Sequence, residues 1–391
     1  MRTPVVAGVG MVPFRSPRRA TASYPEMAAA AAEEALADAG LEYADVQQAF
    51  ASFVYGDSTS GQRALYALGH TGLPVVNVNN NCSSGSSALF LAWQAVASGA
   101  VDCVLVVGFE QMSPGAVDTV FADRPSPLQP FRDALARRYP EAVNLPPALG
   151  LFGAAAHDYL DKHDATVDLF AAVRVKASRH AVPNPNAIFR TELSAAEVLA
   201  GPRLFLDLTR LQACPPSSGA AAAVLCSADR ARARASRPVP VLGMALGTDS
   251  PASFDGDATD LVGAEMSARV AWAAYERAGV DPQDAQVVEL HDCFAPAEVI
   301  FGEAIGLCPP GGSEKFVAEG DNTYGGRVVV NPSGGLLSKG HPLGATGVAQ
   351  CVELVHQLRG TADGRQVEDA RVAVQHNVGL GGAAVVAVYG V

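Results

Sequence analysis

The sequence predicts an α/β protein built from two similar halves, with a separate stretch inserted into the first. Three observations carry that expectation. First, six residues recur at one offset: Glu26, Met27, Ala39, Gly40, Asp45 and Gln47 match Glu265, Met266, Ala278, Gly279, Asp284 and Gln286, each 239 positions on. Internal similarity is read before anything else, because a missed repeat misassigns the whole fold. Second, each set frames an Ala-rich helical run and leads into a strand-like segment, Val46 to Val54 and Val287 to Phe294. Strands this apolar imply sheets covered on both faces. Third, Gln111 to Leu211 has no counterpart in the second half and is rich in Pro and charge. The expected organisation is an N-terminal half of residues 1–110 and 212–235, an inserted loop domain of 111–211, and a C-terminal half of 236–391.

A second echo follows in the same order. Val76-Asn77-Val78 runs into Cys82-Ser83-Ser84-Gly85-Ser86-Ser87, then a helix-like stretch and the apolar strand Cys103 to Val107. Val328-Val329-Val330 runs into Gly340-His341-Pro342-Leu343-Gly344-Ala345-Thr346, then a helix and the strand Val372 to Gln375. Cys82 and His341 therefore hold equivalent places, each with a glycine three residues on. Inside the insert, Asp168 to His180 reads as a helix, and Leu128 to Pro147 fits no pattern. The core resumes at Gly219 to Leu225. Asn331-Pro332-Ser333-Gly334-Gly335 and Asn377-Val378-Gly379-Leu380-Gly381-Gly382 are turn-rich stretches after strands, either punctuation or a source of backbone donors.

With 391 residues, 49% of them hydrophobic and 17% charged, the chain has material for two or more domain-sized units and is not globally disordered. Its net charge of −12 argues against nucleic acid as the main partner, since neutralising phosphates needs a basic face. The seven cysteines are odd in number and hold no C-x-x-C pair, so a disulfide framework and a zinc site are not expected. Met1 to Phe14 does not read as a signal peptide, no apolar run approaches the ~18–20 residues of a membrane span, and the terminal Tyr389-Gly390-Val391 carries no targeting address. A soluble, cytoplasmic protein with no membrane association is expected.

Cys82 sits among small residues at a strand-to-helix junction. A helix N-terminus lowers a thiol pKa and can bind an oxyanion. Taken alone, a cysteine is more often a small buried hydrophobe, and Cys103 and Cys226, inside apolar strands, are read that way. His341 would be unremarkable alone; its equivalence with Cys82 brings a thiol and an imidazole within reach, as an activated nucleophile requires. His291-Asp292-Cys293-Phe294 follows the core pattern Val287 to Leu290, and strand ends are where α/β sheets place their sites. Side by side, His291, Asp292 and Cys293 cannot all face one ion, so no metal is expected. No phosphate loop of known pattern occurs. Between Arg174 and Arg190 lie Arg174, Lys176, Arg179, His180 and Arg190 with no acid, either a solvated helix face or a patch for an anionic ligand.

These residues resemble the thiolase superfamily, and closely its sterol-carrier-protein-type branch, over nearly the full length from Gly8-Val9-Gly10-Met11 onward. The motifs are Asn80-Asn81-Cys82 with its Ser/Gly tail, Gln212-Ala213-Cys214-Pro215, His291-Asp292-Cys293-Phe294, Asn331 to Gly335 through Gly340 to Gly347, and His376 to Gly382. The resemblance implies a thiolase fold, with a duplicated five-layer αβαβα core, an inserted loop domain and a homodimer. It implies that Cys82 is the acylated nucleophile and that His341 takes its proton and then helps hold the thioester oxygen. His291, where most thiolases carry Asn, would share that oxyanion hole. Most thiolases place a second catalytic Cys in a late C-x-G motif; here Asn377-Val378-Gly379 stands there, so Cys293 would be the acid/base. The amides of Cys82 and Gly379 would form a second oxyanion hole. The implied reaction cleaves or forms a 3-oxoacyl-CoA with coenzyme A as substrate and no other cofactor. Arg174, Lys176, Arg179 and Arg190 would meet its phosphates. Relatives of the branch include C-acyltransferases and retro-aldolases, often beside a small zinc-ribbon/OB-fold partner. The aldolase relatives lack the cysteines that this chain keeps, and a non-catalytic acyl-CoA or sterol binder would show a broken Cys82, His341 or Cys293. No appended lipid-carrier domain is expected.

Overall fold

The computed structural model describes residues 2–113, 121, 123–232 and 237–391. Its first half contributes strands β1 (Pro4–Met11), β2 (Gln48–Ser52), β3 (Val75–Val78), β4 (Cys103–Glu110) and β5 (Gly219–Ser227), with helices α1 (Tyr24–Ala39) and α2 (Ser84–Ala97). Between β4 and β5 the chain forms α3 (Pro147–His163), α4 (Val167–Ala181) and a short ribbon of Arg203–Phe205 with Leu208–Thr209. The second half contributes β6 (Val239–Gly247), α5 (Ala264–Ala278), β7 (Val287–Glu289), α6 (Ala295–Ala304), β8 (Val329–Val330), α7 (Leu343–Arg359), β9 (Val372–Gly379) and β10 (Ala383–Gly390).

The strands run in the order β8-β7-β9-β10-β6-β1-β5-β4-β2-β3. The two halves therefore share one topology and meet at β1 and β6, where Val5 pairs with Pro240 and Val6 with Val239. Each half is mixed: β2 is parallel to β3 and β4, while β5 runs antiparallel to β4 and β1, and the second half repeats this.

Alternate residues of one strand face different layers. Val5 and Ala7 pack with Met27, Ala31 and Ala35 of α1, whereas Val6 and Val9 pack with Ala88 and Leu89 of α2 and Val348 and Ala349 of α7. In the second half Val287 and Ala373 face that same central pair, while Val288 and Val374 face Met266 and Val270 of α5. Helices α2 and α7 thus lie between the two half-sheets, with α1 and α5 outside: the five layers that the resemblance implies.

The repeated residues do repeated work. Gly40 (φ 64°) ends α1 and Gly279 (φ 65°) ends α5, both in the left-handed region where glycine is cheapest. The Gln47 side-chain oxygen accepts from the Asp102 and Cys103 amides at the start of β4, and Gln286 does the same for Arg371 and Val372 at the start of β9.

The expected helix over Asp168–His180 forms as α4. The unpatterned Leu128–Pro147 holds the helix Gln129–Ala136 and a turn at Pro140–Asn144. The strands expected over Val46–Val54 and Val287–Phe294 are shorter, Gln48–Ser52 and Val287–Glu289, because ladder pairing with their neighbours covers only those residues. Leu151, Phe152, Phe170 and Val173 of the insert share a core with Ala297, Phe301 and Leu336 of the second half. Among the described residues, no helix is long and apolar enough to cross a membrane.

Candidate active site

Cys82 lies two residues before α2 and His341 two residues before α7, so the duplication brings them together at the start of the two central helices. Glycines make that approach possible. A methyl on Gly85 would lie 2.9 Å from the Gly344 oxygen, and one on Gly347 would lie 2.3 Å from the Ser86 nitrogen.

The Cys82 loop is held from both sides. Asn81 (φ 53°) turns the chain, and its side-chain amide donates to the Leu380 oxygen at 3.0 Å. The Ser83 and Ser84 hydroxyls donate back to the Asn80 and Asn81 carbonyls, and Ser84 Oγ also accepts from the Asn80 amide. The Cys82 thiol lies 3.6 Å from Asn81 Oδ1. Gly379 packs on this loop so closely that a Cβ there would sit 2.1 Å from the Asn80 oxygen.

His341 is anchored through its amide, which donates to Ser217 Oγ at 2.9 Å. The Thr346 hydroxyl donates to the Pro342 carbonyl, so the 2.7 Å contact between Thr346 Oγ1 and His341 Nδ1 is a bond that Nδ1–H donates. Nε2 of this buried ring is then a bare acceptor, and it has no partner among the described residues. His291 and Cys293 lie on the buried segment after β7. Leu290 N is tied to Asn331 Oδ1, and Asp292 turns away to accept from the Leu336 amide at 2.7 Å. His291 Nδ1 meets the Asn377 side-chain amide at 2.9 Å.

Cys82 Sγ and one ring nitrogen each of His291 and His341 lie within 4.8 Å of one another. The two imidazoles meet edge to face, with centroids 5.2 Å apart. A thiolate and two bare imidazole nitrogens would be a donor set for a soft cation such as zinc. Asp292 and Cys293 do not join this cluster, so the triple His291-Asp292-Cys293 does not converge on one point.

The site is uncharged at rest. Burial pushes the Cys82 thiol up to about 12, with the nearby Glu110 carboxylate adding to it. Burial likewise holds His341 down at about 3 and His291 well below the usual imidazole range. Burial drives Cys293 well above the ordinary thiol value, reinforced by Cys214, Cys82 and Asp292. A neutral imidazole with a bare Nε2 beside a thiol is a base waiting to be used.

The four basic residues divide. Arg174 is buried, giving hydrogen bonds to the Leu211 carbonyl and Ser338 Oγ at 2.7 Å each. Lys176 is buried in an ion pair with Glu298 of α6. Neither is free to meet a phosphate, which corrects the expectation of a four-residue patch. Their charge serves the packing of α4 on the core, since a buried charge must be paired. Arg179 and Arg190 stay on the surface, Arg179 paired with Glu192.

Several participants were hidden in the sequence. Cys214 and Ser217 come from the segment returning from the insert: the Cys214 amide donates to the Cys293 carbonyl at 2.9 Å, and Pro216 pairs with His341. Glu110, at the end of β4, accepts from the Val54, Tyr55 and Gly344 amides and is pushed by burial to about 7. Cys214 already stood in the motif Gln212-Ala213-Cys214-Pro215, whereas for Glu110 the only signal was its place at the end of β4.

The comparisons agree with this architecture. The family model described as "Thiolase, N-terminal domain" matches residues 4–198, and "Thiolase C-terminal domain-like" matches 250–390. Sterol carrier protein 2 of Bos taurus is 48% identical over 388 residues, covering 98% of this chain and 71% of that protein. The benzoylsuccinyl-CoA thiolase subunit BbsB of Thauera aromatica is 34% identical, covering 96% and 94%. Among solved structures, the Ltp2-ChsH2(DUF35) aldolase superposes with a TM-score of 0.82 at 24% identity, covering 99% of this chain and 97% of that one. Human mitochondrial 3-ketoacyl-CoA thiolase gives 0.74 at 18%, covering 100% and 98%. With duplicated halves, a cysteine and a histidine paired at the central helices, and both family models matched along its length, this chain belongs to the thiolase family.

Proposed function

We propose that the chain is an acyltransferase that cleaves or forms 3-oxoacyl-CoA through a thioester on Cys82. The observation that carries this reading is the Cys82–His341 pair, with a bare, buried imidazole nitrogen beside a protonated thiol. In the cleaving direction, Cys82 sulfur attacks the C3 carbonyl while His341 takes the thiol proton. The C2–C3 bond breaks, the acyl group stays on sulfur, and the departing enolate of acetyl-CoA takes a proton from Cys293. Burial keeps Cys293 protonated and so ready as that acid. The thiol of a second coenzyme A then gives its proton to Cys293 and attacks the thioester; the bond to Cys82 sulfur breaks, His341 returns its proton to that sulfur, and acyl-CoA leaves.

Each carbonyl oxygen needs donors while it carries charge. His291 and His341 serve the thioester oxygen of the enolate, and the amides of Cys82 and Gly379 serve the oxygen of the tetrahedral intermediate. Every proton has a residue to carry it, so the reaction needs coenzyme A and no resident cofactor. Arg179 and Arg190 are the surface cations that remain for its phosphates. The enzyme would act as a homodimer in the cytoplasm, where its free thiols stay reduced.

A second reading, C-acyl transfer or retro-aldol cleavage with a zinc-ribbon/OB-fold partner, draws on the likeness to the aldolase complex. Steady-state thiolysis of a panel of 3-oxoacyl-CoAs separates the two. The first reading expects turnover by the chain alone, abolished in Cys82→Ala and lowered about 10²–10⁴-fold in Cys293→Ala. No thiolysis of any 3-oxoacyl-CoA, with an aldol substrate cleaved instead, would sink it.

A further inference from the structure

His291 is held by a buried chain of hydrogen bonds whose direction is fixed at its far end. Tyr389 Oη donates to Gln375 Oε1 at 2.7 Å, so the Gln375 amide nitrogen faces the Gly347 carbonyl at 2.7 Å and Ser86 Oγ at 2.9 Å. A carbonyl cannot donate, which settles the orientation of Gln375. Ser86 Oγ, having accepted from Gln375, gives its own proton to Asn377 Oδ1 at 2.9 Å. The Asn377 nitrogen is therefore the atom facing His291 Nδ1 at 2.9 Å, and it donates. Tyr389, Gln375, Ser86, Asn377 and His291 are all buried, so water cannot readily substitute for any link.

A ring nitrogen that accepts carries no proton, so a neutral His291 bears its proton on Nε2. His341, bonded through Nδ1–H to Thr346, has the opposite tautomer. Two imidazoles 5.2 Å apart are thus given different jobs by different neighbours. One offers a lone pair; the other offers a proton.

We propose that Asn377 is a positioning residue that fixes His291 as an Nε2–H donor, and that this keeps the Cys82–His291–His341 cluster from being a metal site. The role of that donor toward substrate rests on the thiolase reading above; the tautomer itself does not. Neutral histidine ligates a metal through a bare nitrogen, and the second partner of a ligating ring fixes which nitrogen is bare. With Nδ1 taken by the Asn377 amide, Nε2 is the His291 nitrogen left to the cluster, and it carries a proton where a ligand needs a lone pair. Asn377→Asp replaces the amide donor with an acceptor, draws the proton to Nδ1 and bares Nε2. The cluster then offers one thiolate and two imidazole nitrogens within 4.8 Å.

The test needs no substrate. In wild-type protein labelled with 15N-histidine, with resonances assigned from His291→Gln and His341→Gln, one- and two-bond proton–nitrogen correlations should place the His291 proton on Nε2 and the His341 proton on Nδ1. A proton on Nδ1 of His291 would overturn the proposal. Cobalt(II), followed by its thiolate charge-transfer band, should bind Asn377→Asp at least about tenfold more tightly than wild type, in line with the ~10–100-fold that such partners of a ligating ring are worth. Equal or weaker binding would also overturn it. Ser86→Ala covers the case in which a buried Asp prevents folding: with its orienting hydroxyl gone, the Asn377 amide can turn, and the His291 signal should split between tautomers. An unchanged single Nε2–H signal would count against the chain. Tautomers as stated without any acyl-enzyme would sink the thiolase reading alone; a reversed His291 with an intact acyl-enzyme would sink this proposal alone.

Discussion

Cys82 illustrates how little a residue says by itself. Burial pushes its thiol up to about 12 and its neighbour His341 down to about 3, so at neutral pH neither is charged. A charged thiolate–imidazolium pair would have to be desolvated in the buried site, whereas the neutral pair separates charge only when a carbonyl can accept it. Alkylation of Cys82 by iodoacetamide should therefore rise with pH through 7 and 8 without a plateau. A rate already level above pH 6 would mean a standing thiolate. The meeting of Cys82, His291 and His341 was legible because they sit in motifs at strand ends. Thr346 and Asn377, which decide which nitrogen of each ring carries a proton, were not. Hydrogen-bond direction exists only once the chain has folded.

At the level of elements, the approach of α2 and α7 positions Cys82 and His341. A methyl at Gly347 would lie 2.1 Å from Ser86 Oγ and 2.3 Å from the Ser86 nitrogen. Alanine in a helix interior gains about 0.5–1 kcal/mol over glycine, but overpacking against rigid backbone costs about 1–3 kcal/mol, so the clash wins. Gly347→Ala is expected to lower stability by urea unfolding by about 1–2 kcal/mol and to slow turnover, while an unchanged or raised stability would show that the helices have room. The duplication was readable because Gly40 and Gly279, and Gln47 and Gln286, solve one backbone problem twice. The basic run in α4 misled for the converse reason. Spacing shows that charges cluster, but not that Glu298 waits across the core to bury Lys176.

Over the whole molecule, burial of titratable groups couples folding to pH. Burial depresses His180, His341 and His376 to about 3 and His291 well below the usual range. Folded, these rings refuse protons that the unfolded chain takes up near pH 6.5, so their stabilising contribution is present above that pH and is lost as it falls. Glu110 works the other way: its raised value favours the folded protein below about 4.5, an advantage lost as pH climbs through about 7. From these five groups alone unfolding at pH 5 should take up about three protons, partly offset by Asp292 and Glu289, whose carboxyls burial raises and which release protons on unfolding, so stability should fall as pH drops from 7 to 5. Stability that is flat between pH 7 and 5 would contradict the buried, neutral site. The layered fold was readable from apolar strands and the repeat, and so was α4 in the insert, whereas Leu128–Pro147 was not, since Phe131, Ala134 and Leu135 of its helix are ordered by packing on the second half. The central claim, that Cys82 carries the acyl group, is tested most directly by incubating the protein with a 3-oxoacyl-CoA without free coenzyme A and mapping the adduct by peptide mass spectrometry. The expected result is an acyl group on the Cys82 peptide that is absent in Cys82→Ala and accumulates more slowly in His341→Ala. An acyl group on Cys293 or Cys214, or none at all while substrate is consumed, would contradict it.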